Sequence, residues 1–167
     1  MLGIDPGLTR CGFSVADTGP IAVEFGVIRS SADWDLADRI HHIASEIQSL
    51  IVRFRPDILA IEEVFAQQNL RSVMSVAQVS GSIIYLAKQA GMKVQLVTPT
   101  AVKLAVTGSG GAAKSAVSKM VVRHYKLKEP PRPADVADAL AISLTALQKL
   151  GTPARTRWVE AEQNARR

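Results

Sequence analysis

The sequence predicts an α/β protein built on a five-stranded mixed sheet, its first three strands antiparallel, with helices on the sheet's faces. Three observations carry this. Short apolar runs bounded by turn residues crowd the first thirty positions, "MLGID", "CGFSVAD" and "IAVEFGVIRS". From Asp35 onward the apolar period changes from strand-like to helical. Beyond that point helical stretches alternate with the short runs "ILAIE" and "KVQLV", the order of strands and covering helices in a layered α/β domain.

Each element has a local reason. "MLGIDPG" is an apolar run closed by Asp-Pro-Gly, a strand leading into a tight turn, and the next two runs follow at hairpin spacing through "TGP". The strand before Asp5 looks clipped, so a native start a few residues earlier is expected. Leu36, Ile40, Ile43, Ala44, Ile47 and Leu50 then repeat at helical spacing until "RPD" stops the helix. "ILAIE" reads as a buried strand running into Glu62, and a long helix spans about Leu70 to Ala90 before Gly91. After "KVQLV", Thr98-Pro99 supplies an N-cap and a first-turn proline for a short helix, although Val102, Leu104 and Val106 also alternate like a strand. A glycine-rich loop, a helix from Lys114 to about Lys126, the turn "EPPRP" and a last helix from about Ala134 to Leu150 complete the order. Residues 1–150 are expected to form one domain, with 151–167 as a polar tail.

Composition narrows the function. With 167 residues, 47% of them apolar, the chain has material for one domain with a real core. The single Cys11 cannot form an intramolecular disulfide, and with three scattered His residues a structural zinc site is not expected. Asp5 interrupts the first apolar run after four residues, so no secretion signal is expected, and no run is long and apolar enough for a membrane span. A cytoplasmic protein without membrane contact is the expectation. The charge is lopsided. Net charge is +5, but residues 64–132 carry ten Lys or Arg against Glu129 alone, a surplus of +9. Such a segment repels itself unless a polyanion neutralises it, although a merely solvated basic face is the plain alternative.

The stretch "GSGGAAKS" at 108–115 is one residue short of the nucleotide-binding pattern G-x-x-x-x-G-K-[ST], with Ala113 in place of the second Gly. A P-loop follows a strand, and its backbone must approach phosphate closely. Here the preceding residues begin as a helix and Ala113 adds a Cβ. Flexible glycines, a helix start and Lys114 suit a clamp on backbone phosphate instead, extended along the helix by Lys119, Arg123 and Lys126.

The informative acids are Asp5 and Glu62, each closing an apolar run that should be a central strand. A charge beside the core costs several kcal/mol unless something positive meets it. A salt bridge or a helix cap would satisfy one such acid. Four are harder to explain that way. In "PADVADALAISLTAL", Asp135 and Asp138 lie three apart at the rim of an otherwise apolar helix, so they project from one face and repel. Two acids from strands and two from a helix form an all-oxygen set suited to a pair of Mg²⁺ ions, which could flank a phosphodiester during transfer. A phosphate-binding surface and a phosphodiester-cutting site belong together.

The blocks "LGIDPGLTRCGFSV", "AIEEVF", "VKLAVTGSGGAAKSAV" and "ADVADALAIS" resemble, in order and spacing, the RuvC family of Holliday-junction resolvases. The likeness covers residues 1–150. It implies a ribonuclease H-like fold, and an endonuclease making symmetric paired nicks in four-way DNA junctions during recombination and repair. It further implies metal-binding catalytic roles for Asp5, Glu62, Asp135 and Asp138, with two Mg²⁺ per site and Mn²⁺ able to substitute. Phe65 would stack on an unpaired base, or serve as plain core. Lys103 and Lys114 would contact DNA, with Asn69 and Arg71 as further backbone contacts. Lys119 and Arg123 extend that surface on the residue reading alone. The resemblance also implies a homodimer and partnership with RuvA and RuvB. The uncharged helix from Ser72 to Ala87 is the candidate interface, with burial inside the monomer as the alternative. Rival readings are another nuclease of the same superfamily, a junction-binding protein without catalysis, and an ATP-dependent sugar kinase or actin-like protein, which would need a second domain.

Overall fold

The computed structural model describes residues 1–17, 21–63 and 70–150, the last stretch by backbone alone at 70–72. Its elements run β1 (Leu2–Asp5), β2 (Arg10–Asp17), β3 (Ile21–Arg29), α1 (Leu36–Phe54), β4 (Ile58–Glu62), α2 (Leu70–Gln89), β5 (Lys93–Val97), α3 (Pro99–Thr107), α4 (Lys114–His124) and α5 (Ala134–Lys149). The sheet order is β3-β2-β1-β4-β5. The first two pairings are antiparallel, and β1–β4 and β4–β5 are parallel. This is the expected mixed sheet, with the order and directions of a ribonuclease H-like fold.

Strand alternation divides the core into two layers. Leu2 and Ile4 of β1, Cys11 and Val15 of β2, and Leu59 and Ile61 of β4 face α1 and α2, meeting Ile43, Ile47, Val79 and Ile83. The intervening residues Met1, Ala16 and Ala60 face α5, with α3 and α4 on its flank. α5 lies very close to the sheet because the strand residues under it are small. A Cβ on Gly3 would run into the Ser143 hydroxyl and stand 2.8 Å from the Ala139 carbonyl oxygen. Ser14, beneath the same helix, donates to the Ala139 carbonyl at 2.9 Å and pairs with the Ser143 hydroxyl at 2.7 Å. α5 itself is buried almost throughout, from Val136 to Ala146.

Helix boundaries follow their caps. The Asp35 carboxylate accepts from the Asp38 N–H at 2.8 Å, and Arg55 ends α1 in the left-handed region. Thr98 caps α3 by accepting from the Ala101 N–H at 3.1 Å. The Val102–Leu104–Val106 ambiguity resolves as helix: Val102 and Val106 share the buried face, and Leu104 is exposed. One expectation needs correction. α4 ends at His124, and Lys126 has φ 53°, so Lys126 leaves the helical face that Lys119 and Arg123 share. Among the described residues no helix is long and apolar enough to cross a membrane.

Candidate active site

The site forms where β1 and β4 end beneath the start of α5. The parallel register pairs Ile4 with Ile61, so one step further Asp5 stands beside Glu62. Alternation decides their direction. Ile4 and Ile61 point toward α1 and α2, so Asp5 and Glu62 point to the α5 side. Glu63 lies past the strand, its backbone N–H donating to Val97 at 2.8 Å. Above them the first turns of α5 carry Asp135 and Asp138. This closeness depends on Gly12, which pairs with Asp5 across β1–β2. A Cβ there would collide with the Asp135 carbonyl oxygen and lie 2.8 Å from its carbon.

The two inner carboxyls feel the acids around them. Burial first, then Glu62, Asp138 and Asp135, push the Asp5 carboxyl up to about 8, with Lys114 opposing. Burial and then Asp138 raise Glu62 above the usual carboxylate range, again against Lys114. Among the described residues the ion pairs fall on the outer acids: Arg10 Nε is 3.4 Å from Asp135 Oδ2, and Lys114 Nζ is 3.3 Å from Asp138 Oδ2. The Asp138 carboxylate in turn raises the Lys114 amine, which therefore stays charged at neutral pH. Among the described residues, neither Asp5 nor Glu62 has a side-chain hydrogen bond or ion pair.

Four carboxylates with two monovalent cations leave a negative surplus in a partly buried cleft. Hard oxygen donors with a negative surplus of this kind suit a hard divalent cation. The cleft is not closed around one point: among the described residues no three such side chains already form a compact metal-binding group. Arg10 and Lys114 hold the outer acids, and among the described residues no ion pair reaches the inner two.

The basic residues divide. Lys114, the first residue of α4, reaches into the acidic cluster. Lys119 and Arg123 are exposed on α4, opposite the buried Val117 and Val121, and Lys103 is half-buried on α3. No hydrogen bond or ion pair joins these three to the acids among the described residues. Arg71 lies in the first turn of α2, its side chain outside the described residues, as are Phe65 and Asn69 entirely. The P-loop-like stretch follows a helix: Gly108 caps α3 at φ 81°, and Ala113 is the N-cap of α4. A nucleotide cradle needs a strand there, so that reading falls.

Sequence reasoning missed Arg10. Arg10, Gly12 and Ser14 share one face of β2 by alternation, so the glycine that admits Asp135 also sets Arg10 beside it. The signal lay in the two-residue spacing.

The family model for "Crossover junction endodeoxyribonuclease RuvC" matches residues 1–146. A relative of that description from Pseudarthrobacter chlorophenolicus is 44% identical over 186 residues, spanning 100% of this chain and 97% of its own length. One from Rhodococcus opacus is 48% identical over 150 residues, 86% of this chain and 78% of its own. Among solved structures, Thermus thermophilus RuvC in complex with a Holliday junction substrate superposes with TM-score 0.84 at 36% identity, covering 91% of this chain and 96% of that one. A yeast mitochondrial Holliday junction resolvase, at 14% identity and TM-score 0.62, shares the fold alone. With the family model matching residues 1–146 and a relative 44% identical across the whole of this chain, the chain belongs to the RuvC family of crossover junction endodeoxyribonucleases.

Proposed function

We propose that the chain acts in the cytoplasm as a homodimeric resolvase of four-way DNA junctions, nicking two strands symmetrically and leaving 5′-phosphate and 3′-hydroxyl ends. The observation that carries this is the convergence of Asp5, Glu62, Asp135 and Asp138 from three elements on one cleft, with more negative charge than Arg10 and Lys114 offset. The inner carboxylates, Asp5 and Glu62, and the outer pair, Asp135 and Asp138, would hold two Mg²⁺ ions, with Mn²⁺ as a substitute. When bound, such ions supply activation of a water molecule and neutralisation of charge at the leaving oxygen. The reaction joins a water oxygen to phosphorus and breaks the P–O3′ bond, and the 3′ oxygen takes up a proton.

The chain's own groups orient the strand. Lys114 brings a permanent positive charge to the cleft, suited to the scissile phosphate's non-bridging oxygens. Lys119 and Arg123, exposed one turn apart on α4, continue the positive surface away from it. Lys103, Asn69 and Arg71 are further backbone contacts in this reading, and Phe65 stacks on a base unpaired at the junction centre. The most direct experiment incubates the protein with a synthetic mobile junction and Mg²⁺ and maps nicks on all four arms. Paired nicks at symmetric positions support the assignment, and equal cutting of linear duplex contradicts it.

α2 supports the dimer. Val79, Ile83 and Ala87 bury one side of it inside the monomer, while Met74 and Tyr85 stand 60% and 63% exposed on the other. Gln78 and Gly81 complete that exposed stripe, and a Cβ on Gly81 meets nothing within 4 Å. An uncharged, largely apolar stripe of this kind suits a two-fold contact, and a two-fold substrate needs one site per subunit. Tyr85→Glu is expected to weaken dimerisation by about 30-fold or more, as loss of an interface anchor does. Sedimentation equilibrium reads this directly; an unchanged dimer would move the interface off α2. Cooperation with RuvA and RuvB is part of the same family-based reading.

A further inference from the structure

We propose that Arg10 is a positioning residue that occupies Asp135 in place of a divalent cation in the metal-free protein and, once displaced, engages a backbone phosphate of the strand entering the cleft. This rests on the metal-dependent junction cleavage proposed above.

Geometry places Arg10 at the right spot for both states. It opens β2, and the alternation it shares with Gly12 and Ser14 sets its side chain on the α5 face, beside Asp135. Its Nε approaches Asp135 Oδ2 at 3.4 Å, and among the described residues the guanidinium has no other partner. The contact is therefore single and loose, not the paired fork an Arg–carboxylate bridge can form. The terminal nitrogens remain available, and the side chain is 54% exposed against 22% for Asp135. An exposed cation is thus laid over a much less exposed acid.

A carboxylate oxygen bound to a divalent ion at about 2.1 Å places two positive charges where the guanidinium now interacts. Like charges at that range repel, so each occupant weakens the other's hold on Asp135. A released Arg10 stays within reach of the cleft mouth, where the negative groups it can pair with are DNA phosphates, whose geometry matches its fork. Arg10 therefore opposes metal binding without DNA and favours DNA binding once metal is present. By linkage, the guanidinium makes metal and DNA promote each other's binding more strongly than they would in its absence. Arg39 nearby is not equivalent, because its guanidinium is already engaged by Ser30 at 3.0 Å and Thr9 at 2.7 Å.

The test uses Arg10→Ala and the length-preserving Arg10→Gln in the full chain. Titration of Mn²⁺ without DNA, followed by calorimetry, should show both variants binding the ion about three- to tenfold tighter than wild type. Junction binding in Ca²⁺ should weaken about tenfold, with the salt slope reduced by about one, since one phosphate contact is lost. Arg10→Lys should restore most of that slope. Unchanged or weaker Mn²⁺ binding in both variants overturns the competition, and an unchanged junction salt slope overturns the phosphate contact. Wild-type protein that neither binds Mn²⁺ nor cuts junctions would instead refute the underlying function, so the two failures are distinguishable.

Discussion

Asp5→Asn is expected to lower junction cleavage by about 10³-fold or more, equivalent to about 4 kcal/mol of transition-state stabilisation. Junction affinity measured in Ca²⁺ should change by no more than about threefold, because Asp5 faces the cleft floor rather than the basic surface. The same substitution should stabilise the metal-free protein. In the fold the Asp5 carboxyl is pushed up to about 8, by burial first and then by the neighbouring acids, against an ordinary value of 3.8. A raised carboxyl pKa makes the protonated form the favoured one in the fold. Its contribution to stability is therefore complete below pH 4, declines as pH rises through the window between 4 and 8, and is gone above it. Asparagine is neutral throughout and escapes that loss. At pH 8–9 without metal the variant should be more stable by about 1–3 kcal/mol, a rise in Tm of about 3–9 °C, and the difference should vanish near pH 4. Added Mg²⁺ should reverse the order by stabilising the wild type more strongly. Thermal melts across pH, with EDTA and with Mg²⁺, check all three statements. A variant that cuts at near wild-type rate removes Asp5 from the site.

Gly12→Ala is expected to damage stability and cleavage together. The added Cβ meets the carbonyl group of Asp135 and lies 3.3 Å from that residue's own Cβ, all atoms fixed by the backbone of α5. Since neither β2 nor α5 can yield by rotating a side chain, the helix must lift from the sheet. Overpacking of this kind costs about 1–3 kcal/mol, which in a chain of this size lowers Tm by about 3–10 °C. The lift also moves Asp135 and Asp138 relative to Asp5 and Glu62. Misplacement by about 1 Å can cost 10²-fold, so cleavage at temperatures where the variant is folded should fall by about that factor. Gly111→Ala is the stability control, since its Cβ would meet nothing within 4 Å. Equal Tm values for the two variants would contradict the close approach.

The contrast between these glycines shows what the sequence could and could not reveal. The strands were legible because Asp5 and Glu62 close apolar runs, and period-two alternation then sends both acids to the α5 side. α5 was legible because Asp135 and Asp138 lie three apart before an unbroken apolar stretch. Helix α3 was ambiguous, since Val102, Leu104 and Val106 fit either period, and the Thr98 cap decided it. Lys126 was wrongly set on the α4 face, two residues beyond the helix end, because its left-handed backbone leaves no compositional mark. Pairings between distant elements were the hardest to read. That Lys114 would meet Asp138, and Arg10 Asp135, depends on which way two loops turn, and loop direction is set by packing rather than by local residue type.

Crystals grown with Mn²⁺ and junction DNA bearing a non-cleavable linkage would test the four-acid site most directly, through the anomalous signal of the metal. Two peaks about 3.5–4 Å apart are expected, bound by oxygens of Asp5, Glu62, Asp135 and Asp138, with Arg10 withdrawn from Asp135. A cleft without metal, its outer acids still held by Arg10 and Lys114 against the bound DNA, would contradict it.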